Sequence, residues 1–219
     1  MKNKSVIKNG SLYIFGNLFN KAIAFITVPI FTRLLSTEEY GIVNTYTSWM
    51  NLLAVVVGLS LGNSIRNAFV DLHEELGKYI SSIYTLALVN FSIISSISVF
   101  FINKYSLPKG LIELCLVEAF SNFAINALIM KYVMEEEAKK RTFLMVFPNL
   151  LGAMLSVILI CFIQENKYYG RIVATCISNM LFGTGIVIYY LKKYKTFYNK
   201  KYWKYAIPIS LPLVLHGIS

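Results

Sequence analysis

Charged residues are scarce in this chain of 219 residues, because Asp, Glu, Lys and Arg together make up only 15% of it. A soluble domain carries about a quarter of such residues, so the composition argues against a soluble protein. Cysteine and histidine are rarer still, with three and two residues, and they share no metal-ligand spacing. We therefore expect no metal site. The sequence also has neither a phosphate-cradling glycine loop nor a zinc-protease motif, so no enzyme motif stands out.

Long apolar segments recur along the whole chain, which is 56% hydrophobic. Segments of about 18 or more mostly apolar residues are typical of transmembrane helices. The pattern predicts six such helices, at about 11–35, 41–65, 79–102, 110–134, 142–164 and 170–191. The linkers between them are short and polar, which leaves no room for a domain outside the membrane. We therefore expect an all-α fold, a polytopic membrane helix bundle.

A seventh apolar segment follows a basic and aromatic connection with the sequence "KKYKTFYNKKYWK". This segment, "YAIPISLPLVLHGIS", has fifteen residues and two prolines, whereas a helix needs about 20 residues to cross a bilayer. We therefore interpret the chain as the N-terminal part of a longer protein. Residues 1–204 would form a six-helix transmembrane lobe, and residues 205–219 would begin a second lobe.

The basic residues, which give the chain a net charge of +10, lie between the apolar segments. This placement is typical of orientation signals and not of a nucleic-acid-binding face. Fifteen Lys and Arg residues fall in the N-terminal tail and in the connections after the second, fourth and sixth segments, and five fall on the other side. The bias predicts a cytoplasmic N-terminus. No small-residue cleavage site follows the first segment, so we interpret it as an uncleaved helix.

The first apolar segment carries Lys21 near its centre, where a membrane-spanning helix would meet hydrocarbon. At about 100° per residue, Asn17 and Asn20 share a face of this helix with Lys21. The face continues to Thr27, and the opposite face, with Ile23, is apolar. A central lysine costs about 2.5–3.5 kcal/mol to insert, so we expect it to face a bundle interior, a cavity or a counter-ion. The alternative is that its side chain extends to the membrane surface.

The fourth segment carries an acidic residue, Glu118, at a depth where a charge is costly. Asn122 and Asn126 follow it at intervals of four residues and so lie on the same face or at its edge. Glu118 would pair with a cation such as Lys21, or bind a coupling cation or a proton. We therefore treat Glu118 and Asn122 as candidate ion-coupling residues.

The residues Pro29 to Gly41, "PIFTRLLSTEEYG", together with "GLSLGNSIRNAF" further on, are the most distinctive stretches of the sequence. They resemble the opening of the polysaccharide-type flippases, which belong to the multidrug/oligosaccharidyl-lipid/polysaccharide exporter superfamily. The resemblance covers the first two helices in wording, and the later helices in spacing and character. It implies a MATE-like transporter of two six-helix lobes with both termini in the cytoplasm.

The resemblance also implies a function, the flipping of undecaprenyl-diphosphate-linked oligosaccharides across the bacterial cytoplasmic membrane by alternating access. Such transporters have a cationic central cavity, in which Lys21, Asn17 and Asn20 would bind the substrate. Arg33 would lie near the outer mouth and Arg66 near the cytoplasmic mouth. No cofactor and no catalytic activity are implied. The expected partners are the lipid-linked oligosaccharide, membrane lipid, a polysaccharide polymerase and glycosyltransferases, but no nucleic acid.

Three other interpretations stay open from the residues alone. A drug or cation exporter of the same superfamily would use buried acidic residues to bind cationic substrates. A membrane-embedded enzyme of glycan assembly would carry a large outward loop with clustered His, Asp or Arg residues. A membrane scaffold without transport activity would not need the polar face of the first helix.

Overall fold

The computed structural model describes the backbone of residues 2–105 and 109–218, and the side chains of residues 14–100 and 110–217. All regular structure in these ranges is helical. The α-helices are α1 (Lys2–Leu34), α2 (Thr37–Val57), α3 (Leu61–Asp71), α4 (Leu76–Tyr105), α5 (Lys109–Met134), α6 (Ala138–Phe162), α7 (Tyr168–Tyr194) and α8 (Lys200–Ile218). A short 3-10 turn, His73–Glu75, connects α3 to α4.

Five of these helices, α1, α4, α5, α6 and α7, are each long and apolar enough to cross a membrane. The pair α2 and α3 forms a sixth span when taken together, with a bend of 43° between its two parts. The prediction of an all-α polytopic membrane helix bundle is therefore confirmed. The observed helices start and end within several residues of the predicted segments, except that α1 begins about nine residues earlier, at Lys2.

The second span differs most from its prediction as one straight helix. It breaks after Val57 because Leu59 and Ser60 have φ angles of 48° and 51°, in the left-handed region. The side-chain amide of Asn90, on α4, donates hydrogen bonds to the carbonyls of Val56 and Val57, both at 2.9 Å. A neighbouring helix thus satisfies the carbonyl groups that the break leaves free.

Helix α5 lies at the centre of the bundle and packs against α2, α3, α4, α6 and α7. In its most apolar stretch 61% of the residues are buried, against 33% or less in the other four single spans. Gly183 on α7 is part of this packing, since a Cβ atom there would lie 2.6 Å from the Cα atom of Ser121 on α5. Small residues at such contacts allow helix backbones to approach closely.

Helix α8 begins at Lys200, five residues before the predicted seventh segment. The predicted division at residue 204 thus falls inside α8, and residues 1 and 219 lie outside the described residues. Part of the basic and aromatic connection is helical and docks on the bundle. The Oη atom of Tyr202 donates to Glu75 at 2.9 Å, and Trp203 Nε1 donates to the Ser82 carbonyl at 3.2 Å. The two-lobe arrangement stays a prediction.

Candidate functional site

A carboxylate lies at the centre of the bundle, because Glu118 on α5 is only 2% exposed. The Oη atom of Tyr46, on α2, donates a hydrogen bond to Oε2 of this carboxylate at 2.7 Å. The Nδ2 atom of Asn179, on α7, donates to Oε1 at 2.8 Å. Both oxygens are therefore satisfied, as a buried carboxylate requires. We call these three residues the Glu118 network.

The opposite charge that acts on Glu118 comes from Arg171, in the first turn of α7. Its Nη1 atom donates to the hydroxyl of Ser156, on α6, at 2.9 Å, and its Cζ atom lies 4.2 Å from the ring centroid of Phe31 on α1. Arg171 interacts electrostatically with Glu118, although the two form no direct ion pair among the described residues. Two opposite charges at this depth offset each other's desolvation in part.

A cavity of about 250 Å³ opens between α1, α6 and α7 and borders the Glu118 network. We call it the charged cavity, because Arg171 is among the residues that line it. Its polar lining residues are Asn20, Thr27, Asn149, Arg171, Thr175 and Asn179. A cavity that is polar and of this size has room for several water molecules at about 30 Å³ each. It can therefore hold water, a hydrated ion or a small polar group.

A proline in α6 shapes one wall of the charged cavity. Pro148 has no N–H group and cannot make the helical hydrogen bond at its position. Side chains from other helices bind nearby carbonyls, since Ser178 donates to the Pro148 carbonyl at 2.7 Å and Asn20 donates to the Met145 carbonyl at 3.1 Å. Asn149 donates to the same Met145 carbonyl at 2.9 Å. The part of α6 around Pro148 is thereby tied to both α1 and α7.

Of the predicted substrate-binding residues, only Asn20 lines the charged cavity. Asn17, Lys21 and Arg33 are exposed and do not line it. Within the described part of the chain Lys21 forms no ion pair with Glu118 or with any other acid. Of the alternatives open for Glu118, a pairing with Lys21 is therefore wrong, because the cation that interacts with Glu118 is Arg171 on α7. A substrate-binding role for Asn17, Asn20, Lys21 and Arg33 stays a prediction.

The cavity-facing side of α1 also differs from the predicted polar face. Asn20, Ala24 and Thr27 line the charged cavity as expected, but so does Ile23, which the spacing of about 100° per residue placed on the apolar face. The intervals of three and four residues show that one helical stripe faces α6. Lys21 lies about 100° away from Asn20 on the same helix. The sequence located the polar residues along α1, but not the direction of its neighbours.

The other predicted residues lie at a second cavity, where the bent span meets α5. Asn122 lines this cavity and accepts a hydrogen bond from Asn126 Nδ2 at 2.7 Å. Arg66, on α3, is exposed, and its Nε atom lies 3.2 Å from the sulfur of Met130, which lines the same cavity. Asn122 therefore does not belong to the Glu118 network, although it follows Glu118 by one turn on α5.

Sequence reasoning missed several residues that build the site. Arg171 was counted only as an orientation charge, and Asn179 only as a packing residue. Tyr46 and Ser156 were not predicted as site residues, since a tyrosine and a serine in an apolar segment are common packing residues. The one available signal was the position of Arg171 inside the sixth apolar segment. Its partner could not be named, because the two residues are 53 positions apart in sequence.

The residues of the distinctive "STEEYG" stretch hold the turn between α1 and α2. Ser36 Oγ accepts from the Glu39 amide at 3.2 Å, and the Ser36 amide donates to Glu39 Oε2 at 2.9 Å. This reciprocal pair is a capping box. Glu39 Oε1 also accepts from the Lys167 amide at 2.6 Å, just before α7. The stretch thus connects the ends of three helices on the side of the bundle where Arg171 lies.

The helices are long enough to span a membrane, and they enclose a buried carboxylate, a partly buried guanidinium and a polar cavity. These features define the chain as a multi-pass membrane protein with an intramembrane polar site. The chain belongs to the polysaccharide biosynthesis protein family, whose family model matches residues 6–219. The resemblance found in the first two helices is thereby confirmed over nearly the whole chain. Family membership supports a role in polysaccharide biosynthesis.

Two relatives from Haemophilus influenzae strain Rd agree with this assignment. An uncharacterized membrane protein is 24% identical over 200 residues, which is 91% of this chain and 47% of the relative. A protein of the Lsg locus is 24% identical over 222 residues, which is 98% of this chain and 53% of the relative. The chain thus spans about half the length of the curated relatives it matches. No solved structure matches the chain significantly.

Proposed function

We propose that this chain is the N-terminal part of a transporter that flips undecaprenyl-diphosphate-linked oligosaccharides across the bacterial cytoplasmic membrane. The observation that carries the proposal is a polar, charged interior among six membrane spans in a member of the polysaccharide biosynthesis protein family. Polar and ionisable groups inside a membrane are costly and typically mark a substrate or ion pathway. Residues 1–204 would form one lobe of a two-lobe protein, and residues 205–219 would begin the other.

In this proposal the lobes rock against each other around a central cleft, and the protein acts as a transporter and not as an enzyme. Lys21 and Asn17, which are exposed on α1, would face the cleft once a second lobe encloses it. There the lysine would bind the diphosphate. Arg33 would lie at the outer mouth and Arg66 at the cytoplasmic mouth. The Glu118 network would bind the coupling cation or proton, next to the charged cavity.

The lysine carries a direct test of this function. Lys21→Ala in the full-length protein should lower surface polysaccharide at least about tenfold, because a loss of about 1.4 kcal/mol of binding corresponds to a factor of ten. Lys21→Arg should keep most of the activity, since it keeps the charge. The measurement is surface polysaccharide in a deletion strain of the native host, normalised to the protein level. Lys139→Ala, an exposed lysine at the start of α6, is the matched control. Full activity of Lys21→Ala at normal abundance would contradict the role.

The orientation of the lobe is tested by labelling introduced cysteines. Thr37 and Lys139 are exposed near opposite ends of the spans, so Thr37→Cys and Lys139→Cys are suitable sites. Cys161 is exposed and should first be replaced by serine, whereas Cys115 and Cys176 are buried. With a cytoplasmic N-terminus, a membrane-impermeant maleimide added to spheroplasts should label position 37 only. Labelling of position 139 alone would show that the N-terminus lies outside the cytoplasm and would contradict the predicted orientation.

A drug or cation exporter is the second candidate, and the burial of Glu118 favours it. A buried carboxylate suits a cationic substrate, and Glu118 is the only acidic residue that is buried in the described part of the chain. The two candidates differ in their cellular readout. A deletion strain of an exporter would accumulate a cationic dye and keep its surface polysaccharide. A deletion strain of a flippase would lose the polysaccharide and extrude the dye normally.

A further inference from the structure

The break between α2 and α3 lies beside a second cavity of about 240 Å³, which α2, α3 and α5 line. Irregular backbone at membrane depth is tolerated where it is buried in protein or lines a polar cavity, and discontinuous helices form many transport sites. The polar side chains of this cavity come mainly from asparagines. They are Asn51, Ser60, Asn63, Asn122 and Asn126, and we call the space the amide cavity.

The asparagines of the amide cavity have few partners within the protein. Asn126 donates to Asn122 Oδ1 at 2.7 Å, and Asn122 Nδ2 lies 3.2 Å from the sulfur of Met50, a weak acceptor. The side chains of Asn51 and Asn63 form no hydrogen bond with the described residues. Each amide offers two donors and an acceptor oxygen. Most of these amide donors and acceptors are therefore available to water or to a polar ligand.

The charge at the amide cavity is positive and comes from Arg66, which lies beside it. No acidic residue lines it, and its lining side chains are neutral. Arg66 lies on α3 three residues after Asn63, and therefore on the same side of that helix. The contact of Arg66 Nε with the sulfur of Met130, itself a lining residue, places the guanidinium at the rim. Its remaining N–H groups are free to bind an anion in the fork geometry that suits phosphate.

We propose that the amide cavity binds one sugar unit of the lipid-linked oligosaccharide, with Arg66 at the rim facing the diphosphate. This inference rests on the proposed flippase function and names the part of the substrate that the cavity recognises. Neutral amides can donate to and accept from neighbouring sugar hydroxyls, and they hold a polar group without an ionic bond that would slow its release. The cavity is smaller than the pockets of about 300–1,000 Å³ that enclose drug-sized ligands, so a single sugar ring fits it better than an oligosaccharide.

The amide cavity and the Glu118 network share two helices. On α2, Tyr46 contacts Glu118, and Met50, one turn later, contacts Asn122. On α5 the same two partners, Glu118 and Asn122, are also one turn apart, or about 6 Å along the axis. Asn122 is accordingly assigned to sugar binding and not to ion coupling. A shift of α2 along α5 on sugar binding would move Tyr46 relative to Glu118.

The test compares two probes on the purified full-length protein in nanodiscs. One probe is undecaprenyl-diphosphate-linked oligosaccharide extracted from the deletion strain, and the other is undecaprenyl diphosphate without sugar. Asn51→Ala and Asn63→Ala, both at exposed positions, and Asn122→Leu should each weaken binding of the glycosylated probe up to about tenfold, the size of a hydrogen bond of about 0.5–1.5 kcal/mol. Their affinity for the bare diphosphate should not change. Arg66→Gln should weaken the binding of both probes.

The control is Asn44→Ala, which removes an exposed amide of α2 that lines neither cavity and should leave both affinities unchanged. Thermal melting of each variant confirms that it is folded. If the wild type prefers the glycosylated probe and the amide-cavity variants keep that preference, the sugar site is refuted while the flippase function stands. A wild type that binds both probes equally well also refutes the sugar site. If the wild type binds neither probe, the proposed function itself fails.

Discussion

Replacement of Gly183 by alanine is expected to lower the melting temperature of the full-length protein by several degrees. A Cβ atom at this position would lie 2.6 Å from the Cα atom and 2.7 Å from the carbonyl oxygen of Ser121. These are backbone atoms, so no side chain can rotate away, and α5 and α7 would have to separate. Overpacking of this kind costs about 1–3 kcal/mol and occasionally more. The measurement is thermal unfolding in detergent, with the amount of protein in the membrane as a second readout.

The same helix provides a matched control two residues further on. A Cβ atom at Gly185 would meet nothing within 4 Å, and alanine is intrinsically better than glycine in a helix by about 1 kcal/mol. Gly185→Ala should therefore leave the melting temperature unchanged or raise it. Since Ser121 and Gly183 lie close to Glu118 and Asn179 along their helices, Gly183→Ala should also reduce transport. Equal melting temperatures for the two variants would contradict the close α5–α7 contact.

Neutralisation of Glu118 is expected to have the second large effect. Glu118→Gln would leave Arg171 as a partly buried cation without an opposite charge nearby. Removal of one partner from a buried ion pair costs about 3–5 kcal/mol, and the cost here should be at the lower end, because the two groups interact without direct contact. The amount of folded protein should therefore fall several-fold. Immunoblots of membranes and thermal unfolding would measure it.

A double variant separates the structural role of Glu118 from its transport role. Glu118→Gln combined with Arg171→Met removes both charges, and such replacements are often neutral or stabilising. Abundance and melting temperature should recover, whereas surface polysaccharide should stay at the level of the deletion strain if Glu118 binds the coupling ion. Normal polysaccharide in the double variant would exclude ion coupling by Glu118. A double variant less stable than both single variants would show that the charges do not compensate each other.

The membrane spans could be predicted because length and apolarity are local properties of a segment. Six apolar segments were sufficient to predict a polytopic bundle, and the structure has five single spans and one bent pair. The bend at Leu59 and Ser60 could not be predicted in the same way. It depends on Asn90, more than 30 positions later in the chain, whose side chain binds the carbonyls that a straight helix would have used internally.

The candidate site was predicted only in part, for a related physical reason. A charge in an apolar segment reveals its depth in the membrane, which is how both Lys21 and Glu118 were selected. Whether that charge faces the bundle depends on the rotation of its helix against its neighbours. The structure buries Glu118 and leaves Lys21 exposed. Asn20, one residue before Lys21, turns to the charged cavity instead.

The all-helical membrane bundle, the positions of its spans and the family resemblance could therefore be predicted from the amino-acid sequence alone. These properties depend on hydrophobicity along the chain and on two distinctive stretches in its N-terminal third. Which polar groups contact each other is known only from the packing of the helices. Arg171 interacts with Glu118, and the asparagines of α2, α3 and α5 line one cavity. These groups come together because helices from distant parts of the chain pack side by side. In a membrane, buried polar groups must find their partners across such helix contacts.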